Sequence, residues 1–322
     1  MIVEPQVLTL QTFESMNVAY TSILRTLRDH GTLTEAITDP TSVGSSFGSH
    51  PRRTTELVAT GFSITNPRAR WLGSENRGLN KAFAVANTLW TVSGSNRLVD
   101  IEQYNRRGEK FAKDGLLEGA VGHRIVNSAI GDQLDRVLET LRRAPSSRRA
   151  VVQIFSPQDL AQPPLDTPCT ISLQYLVRAG RVDSITSMRS QSAAFLLPYD
   201  VYLFSMLQEM IASELGLELG TYHHFCGSLH YYEDEVEIVT RILNEPVATN
   251  AQSLTMPEMP AGGLTLARRT ASIELELRRQ MLNGSPDAVD LKSYGLPLYW
   301  HELLSIVAAK LSTVSRNSAD RQ

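Results

Sequence analysis

Residues 168–232 read PCTISLQYLVRAGRVDSITSMRSQSAAFLLPYDVYLFSMLQEMIASELGLELGTYHHFCGSLHYY, and this stretch decides the fold. Ile171, Leu173, Tyr175 and Val177 alternate with Ser172, Gln174 and Leu176, the period of a strand with one face on a core. Arg178-Ala179-Gly180-Arg181 supplies a turn and Val182 to Arg189 continues beyond it, so the spacing predicts a β-hairpin. Leu203, Leu207, Ile211 and Glu214 then recur at helical spacing among many apolar neighbours, predicting a helix over 199–215 buried on most sides. Thr221 to Tyr232 returns to strand character.

Upstream, Phe13, Met16, Tyr20, Ile23 and Leu27 predict an amphipathic helix over 9–30 that Gly31 stops. Residues 32–51 are rich in Thr, Ser, Gly and Pro without periodicity and predict a mobile surface loop ending in Arg52 and Arg53. Helices are expected over 79–93 and 126–143, the second with Ile130, Leu134, Val137 and Leu141 on one face, and a strand over 148–155. Beyond Asn244 the chain loosens through Pro246, Pro257, Pro260, Gly262 and Gly263 before a helix over 299–312. Strands and helices mix without regular βαβ alternation, which predicts an α+β fold. Residues 1–244 read as one catalytic domain and 245–322 as a divergent C-terminal extension of it.

The chain has 322 residues, 42% hydrophobic and 20% charged, enough for a large packed core and unlike disordered or coiled-coil chains. With 31 basic and 34 acidic residues the net charge is −3, which argues against polymeric nucleic acid as partner. An anionic small molecule would need local arginines. Two cysteines, Cys169 and Cys226, cannot make a disulfide framework, and the first residues lack the basic-then-apolar layout of a signal peptide, so a cytoplasmic protein is expected. No membrane partner is expected, because the longest apolar run, around Ile306 to Leu311, is broken by Lys310.

Cys169 begins the hairpin, where a side chain can project into a cleft from a rigid element. A lone cysteine is often only a small buried hydrophobe. Its company suggests more: Arg148 and Arg149 lie about twenty residues before it, and Arg189-Ser190 at the far end of the hairpin. Nearby arginines favour thiolate, and guanidinium forks with a hydroxyl match phosphate oxygens. His223, His224 and His230 share one strand without a carboxylate or cysteine arrangement, so no metal site is assigned. No glycine run suited to ATP or NAD occurs.

Taken in order, Pro168-Cys169, Gln174, Arg189-Ser190, Pro198-Tyr199-Asp200, Gly227 and His230-x-Tyr232 resemble the thymidylate synthase and pyrimidine nucleotide hydroxymethylase superfamily without a gap. Upstream, Arg148-Arg149 resemble its paired arginines and Leu89-Trp90 to Gly94 its long helix, whereas beyond about residue 244 the likeness fades. The resemblance implies a mixed sheet with packed helices and a homodimer formed through the sheet. It further implies that Cys169 adds to C6 of a pyrimidine nucleoside monophosphate, so that C5 attacks the one-carbon unit of 5,10-methylenetetrahydrofolate. By the same carry-over Arg189 and Ser190 hold the 5′-phosphate, Arg148 and Arg149 reach it from a second subunit, Arg53 closes on it, Gln174 contacts the substrate, and His230 and Tyr232 bind the sugar hydroxyl.

Several positions depart from that pattern. Asp200 stands where the synthases place an asparagine that reads uracil; a carboxyl sharing a proton with N3 and accepting from the N4 amino group suits cytosine instead, so CMP or dCMP is the expected substrate. Aspartate here could alternatively cap the following helix. Asn87 replaces a glutamate that organises water and cannot serve as a general base. Ser192, Leu196 and Val121 replace an aspartate, a glycine and a tyrosine around the donor pocket. The expected activity is C5-hydroxymethylation; the alternatives are folate-independent C5 chemistry through the same adduct, or a catalytically silent nucleotide-binding homologue.

Overall fold

The computed structural model describes residues 10–36, 52–246, 254–282 and 290–319. Among them are strands β1 (Gln11–Phe13), β2 (Thr32–Ala36), β3 (Arg52–Ile64), β4 (Val151–Gln153), β5 (Thr170–Arg178), β6 (Arg181–Ser192) and β7 (Glu218–Tyr232). They form one mixed sheet in the order β1-β3-β7-β6-β5-β4, with β2 paired to β3. The hairpin β5–β6 turns through Ala179 and Gly180, both at positive φ. β6 and β7 run parallel, which requires a crossover, and α6 (Leu197–Leu215) provides it.

The remaining helices are α1 (Met16–His30), α2 (Lys81–Ser93), α3 (Val121–Val126), α4 (Gln133–Arg143), α5 (Gln158–Ala161), α7 (Val236–Leu243), α8 (Gly263–Leu282) and α9 (Leu298–Ala319). Ser15 caps α1 by accepting from the Val18 N–H, and the helix buries Met16, Tyr20, Ile23, Leu24 and Leu27. α6 is buried on nearly every side, as its apolar run implies, and ends at Gly216 in the left-handed region. α8 and α9 pack on α2, and α8 also on α6, so the C-terminal residues share one continuous core with the sheet. No helix among the described residues is long and apolar enough to cross a membrane.

Four expectations change. Residues 11–13 are the short strand β1, parallel to β3, and the first helix begins only at Met16. Of the expected loop over 32–51, residues 32–36 form β2 and 37–51 lie outside the described residues; Arg52 and Arg53 begin β3 rather than closing a loop. Threonine-rich sequence is compatible with an edge strand, and pairing with β3 decided the outcome. The helix expected over 126–143 starts at Gln133, where Asp132 caps it, leaving Ile130 exposed. β3 and α8 are elements the sequence reading did not identify.

A buried ion cluster ties the C-terminal segment to α6. The Glu209 carboxylate, 1% exposed, receives Arg70, Arg68 Nε at 2.7 Å and the Met259 N–H at 3.1 Å. Burial pushes this carboxyl up, but Arg70, Arg68 and the Met259 amide outweigh it and hold it below the ordinary range. Its stabilising effect is therefore full at neutral pH and is lost as pH falls through the lowered value. Glu209→Ala, which strands Arg70 without its counter-ion, is expected to cost about 3–5 kcal/mol in urea unfolding.

Candidate active site

Cys169 lies one residue before β5, held by the loop that Pro163, Pro164 and Pro168 stiffen. Its carbonyl accepts from the Arg189 N–H at 2.8 Å, so the first residue of the motif and the end of β6 are locked together. They open onto a cleft of about 850 Å³ in which Cys169, Arg189 and Asp200 meet Val121, Phe155 and Leu196. The Arg189 guanidinium donates to the Pro168 and Thr167 carbonyls at 2.9 Å each. Its other N–H groups remain for an anion.

The thiolate expected from the nearby arginines is not the resting state. Burial pushes the Cys169 thiol up, Arg189 draws it back in part, and Asp200 adds to the rise, leaving it above the usual range. One guanidinium, already committed to two carbonyls, does not offset desolvation. Cys226 is more deeply buried and pushed up to about 12, a packing residue.

Asp200 sits in the first turn of α6 but does not cap it; Leu196 occupies that position. Its carboxyl instead accepts from Gln191 Nε2 at 2.7 Å. Gln191 Oε1 faces His224 Nε2 at 3.2 Å, and His224 Nδ1 faces the Tyr222 hydroxyl at 2.8 Å. These distances assign a tautomer in which Tyr222 donates to Nδ1 and Nε2–H donates to Gln191. Burial holds His224 neutral, pulled down to about 3, and pushes Asp200 up to about 7 despite Gln191. The carboxyl is thus poised to hold or release a proton near neutrality. Arg77, whose guanidinium donates to the Ala194 and Phe195 carbonyls, fixes the turn that delivers α6 to the cleft.

Other candidates lie elsewhere. Arg148 and Arg149 are exposed before β4 and do not line their own chain's cleft; Gln174 Nε2 donates to the Arg148 carbonyl at 2.8 Å. Register places Val151, Gln174, Ile185 and His223 in one row on the same face of the sheet, and Val151 and Phe225 on this sheet are substantially exposed. Ser190 pairs with Ser228, whose hydroxyl meets Glu56 and, at 3.3 Å, His230 Nδ1. His230 and Tyr232 stack edge to face at 5.1 Å. Exposed Arg53 faces Glu35 across β2, and Ser192 faces His230. Asn87 sits half-buried on α2 and is not among the residues lining the cleft. His223 and His224 point to opposite faces of β7, and no metal-sized cluster of His, Cys, Asp and Glu occurs among the described residues.

Sequence reading missed the Gln191–His224–Tyr222 chain behind Asp200 and a second carboxyl, Asp166, on the cleft wall. The first was hidden because the polar members lie at inward positions of two different strands. The second had a local signal, an aspartate three residues before the cysteine inside a proline-rich loop.

The family model for thymidylate synthase matches residues 20–264. The deoxyuridylate hydroxymethyltransferase of Bacillus phage SP01 is 28% identical over 198 residues, 57% of this chain and 52% of that protein. The thymidylate synthase of Bacillus phage phi3T is 27% identical over 229 residues, 68% and 80% of the two chains. This chain therefore spans about half the length of the hydroxymethyltransferase and more of the synthase. Thermostable thymidylate synthase A from Bacillus subtilis shares the fold, with a TM-score of 0.60 at 23% identity over 72% of this chain and 84% of that one. With the family model covering most of its length and the cysteine, arginine and aspartate gathered in one cleft, the chain belongs to the thymidylate synthase family.

Proposed function

We propose that the protein is a pyrimidine nucleotide C5-hydroxymethyltransferase that prefers CMP or dCMP. The observation that carries the cytosine preference is the half-buried Asp200 carboxyl, held by Gln191 and turned to the cleft rather than to the helix end; desolvation pushes it up to about 7. Protonated, it donates to N3 and accepts from the N4 amino group of cytosine. When the Cys169 sulfur bonds to C6, negative charge builds on the ring, and the proton shared with N3 stabilises it. Arg189 and Ser190, at the end of β6, bind the 5′-phosphate, and His230 and Tyr232 take the sugar; Arg53, paired with Glu35 in the sheet, and Gln174, on the exposed sheet face, are assigned no contact with the nucleotide. The relative that hydroxymethylates deoxyuridylate supports water addition as the outcome.

Members of the family take their one-carbon unit from 5,10-methylenetetrahydrofolate. The cleft fits it: about 850 Å³ walled by Phe111, Val121, Phe155, Leu160 and Leu196 admits a nucleotide and a flat heteroaromatic donor together. Asn87, away from the cleft wall, is assigned no proton transfer. Residues 245–322 serve as an extension of the same catalytic domain.

The test is release of tritium from C5 of CMP, dCMP, UMP and dUMP with and without the folate. Folate-dependent release from cytosine nucleotides with a 5-hydroxymethyl product is the expected result. Release without folate would replace the reading with C5 exchange through the same adduct. No release from any of the four would leave a silent nucleotide-binding homologue.

Exposed Arg148 and Arg149, beside a sheet face carrying exposed Val151 and Phe225, support a homodimer in which the partner subunit's Arg148 and Arg149 reach the phosphate. Mixing inactive Arg149→Ala and Cys169→Ser chains should then restore about a quarter of wild-type activity, because half the dimers are mixed and each holds one intact site. Mixtures that stay inactive while exchanging subunits would contradict the shared site.

A further inference from the structure

Three aspartates line the cleft, and their surroundings differ. Asp159 is ion-paired: Arg124 reaches it through two bonds of 2.6 and 2.8 Å and the Ser156 N–H donates at 2.8 Å. Burial pushes Asp159 up, but these partners outweigh it and keep it ionised. Asp200 is held by Gln191 and faces the base in the proposed function. Asp166 has no ion pair and no side-chain partner: the Gly119 and Asp166 amides reach its carboxyl, while its Oδ1 is buried without a hydrogen-bond partner. Arg124 cannot serve it, being bound to Asp159 and to the Glu118 and Ile154 carbonyls.

The backbone holds this carboxyl in place. A Cβ at Gly119 would sit 1.7 Å from the Asp166 carbonyl oxygen and 3.0 Å from its carboxyl carbon, so only glycine permits the approach. The loop has Pro163 and Pro164 before Asp166 and Pro168 after it, and Cys169 follows three residues on, lining the same cleft. A rigidly placed carboxyl with one oxygen unpartnered, lining the same cleft as the nucleophile, is an arrangement that suits a proton acceptor.

We propose that Asp166 is the general base that activates water in this cleft, supplying the proton transfer that Asn87 cannot. The inference rests on the hydroxymethyltransferase reading. After the one-carbon unit is joined to C5 and its donor has left, the pyrimidine carries an exocyclic methylene at C5 and the Cys169 sulfur at C6. The water oxygen bonds to the methylene carbon while its proton passes to the Asp166 carboxylate. The methylene electron pair moves onto the ring, re-forms the C5–C6 double bond and expels the sulfur as thiolate. Burial pushes Asp166 up to about 6, opposed in part by the Gly119 and Asp166 amides and the Arg124 charge and reinforced by Glu118. Such a group is mostly ionised at neutral pH yet basic enough to take a proton.

The experiment compares wild type with Asp166→Asn and Asp166→Glu, using the four tritiated nucleotides, the folate and 2-mercaptoethanol as a competing nucleophile. In Asp166→Asn, C5 tritium release should stay within about threefold of wild type while the hydroxymethyl product falls about 100-fold. The methylene should then be captured as a nucleotide thioether, visible by mass spectrometry, and Asp166→Glu should recover part of the product. CMP affinity within twofold of wild type shows that the variant is folded. A ¹³C-aspartate NMR titration, which needs no turnover, should show one carboxyl near 6 that disappears in Asp166→Asn. Product formation unchanged in Asp166→Asn, an equal fall in tritium release and product, or no carboxyl titrating near 6 overturns the inference alone. Wild type that makes no hydroxymethyl product from any of the nucleotides overturns the functional reading and the inference with it.

Discussion

Cys169→Ser should abolish C5 tritium release, a fall of at least roughly 10³-fold, while CMP affinity changes by only a few-fold. The hydroxyl is a far weaker nucleophile, and among the described residues no base hydrogen-bonds to this side chain to activate it. Affinity should survive because the proposed phosphate and base contacts belong to Arg189, Ser190 and Asp200. The thiol's elevated position adds an independent check. Without nucleotide, alkylation of Cys169 by iodoacetamide should be slow at neutral pH and climb into the alkaline range later than for a free cysteine, since the thiolate reacts and burial disfavours it. Rapid alkylation at pH 7 would contradict the raised, desolvated thiol. A serine variant that keeps turnover would remove covalent catalysis from the proposal.

Asp200→Asn should move the kcat/KM preference from cytosine toward uracil nucleotides by about 10²–10⁴-fold, because a site built around a hydrogen-bonding edge rejects the base whose donors and acceptors are reversed. The amide presents a carbonyl to the uracil N3–H and an NH₂ to O4, and it holds no titrating proton for N3 of cytosine. Stability reports the same group without catalysis. The native carboxyl keeps its proton up to about pH 7, whereas the unfolded one releases it near its ordinary value of 3.8. Unfolding between those values therefore releases a proton, and stability contributed by the protonated carboxyl declines as pH rises toward 7. Asp200→Asn should accordingly raise Tm more at pH 8 than at pH 5. Unchanged base selectivity would remove the reading of Asp200 as the base-recognising group.

Much of this was legible in residues 168–232, for physical reasons. The hairpin announces itself by strict alternation around a Gly-containing turn, and α6 by a long apolar run without strand breakers. Cys169, Arg189 and Asp200 came into view because their chain spacing matches a known order, and the sheet register does bring them to one cleft. What failed was local reading where tertiary pairing decides. β3 mixes Thr, Glu and Gly and draws its strand character from β7, while 126–132 looks helical yet turns through Gly131 at positive φ. The protonation states were equally illegible. The arginines flanking Cys169 in sequence suggested an activated thiolate, but desolvation, which depends on what packs over the sulfur, outweighed the nearby guanidinium. The placement of Asp166, with Gly119 lying against it from another loop and one carboxyl oxygen left unpartnered, is also a three-dimensional fact.

The central claim is that the Cys169 sulfur bonds to C6 of a cytosine nucleotide, and a 5-fluorocytosine nucleotide tests it directly. Fluorine at C5 cannot leave as a proton does, so the folate-bound adduct stalls after the ring is attacked. Mass spectrometry of protein incubated with 5-fluoro-CMP or 5-fluoro-dCMP and methylenetetrahydrofolate should find the nucleotide on the peptide containing Cys169, and none on that containing Cys226. An unmodified Cys169, under conditions where the nucleotide demonstrably binds, would contradict the claim.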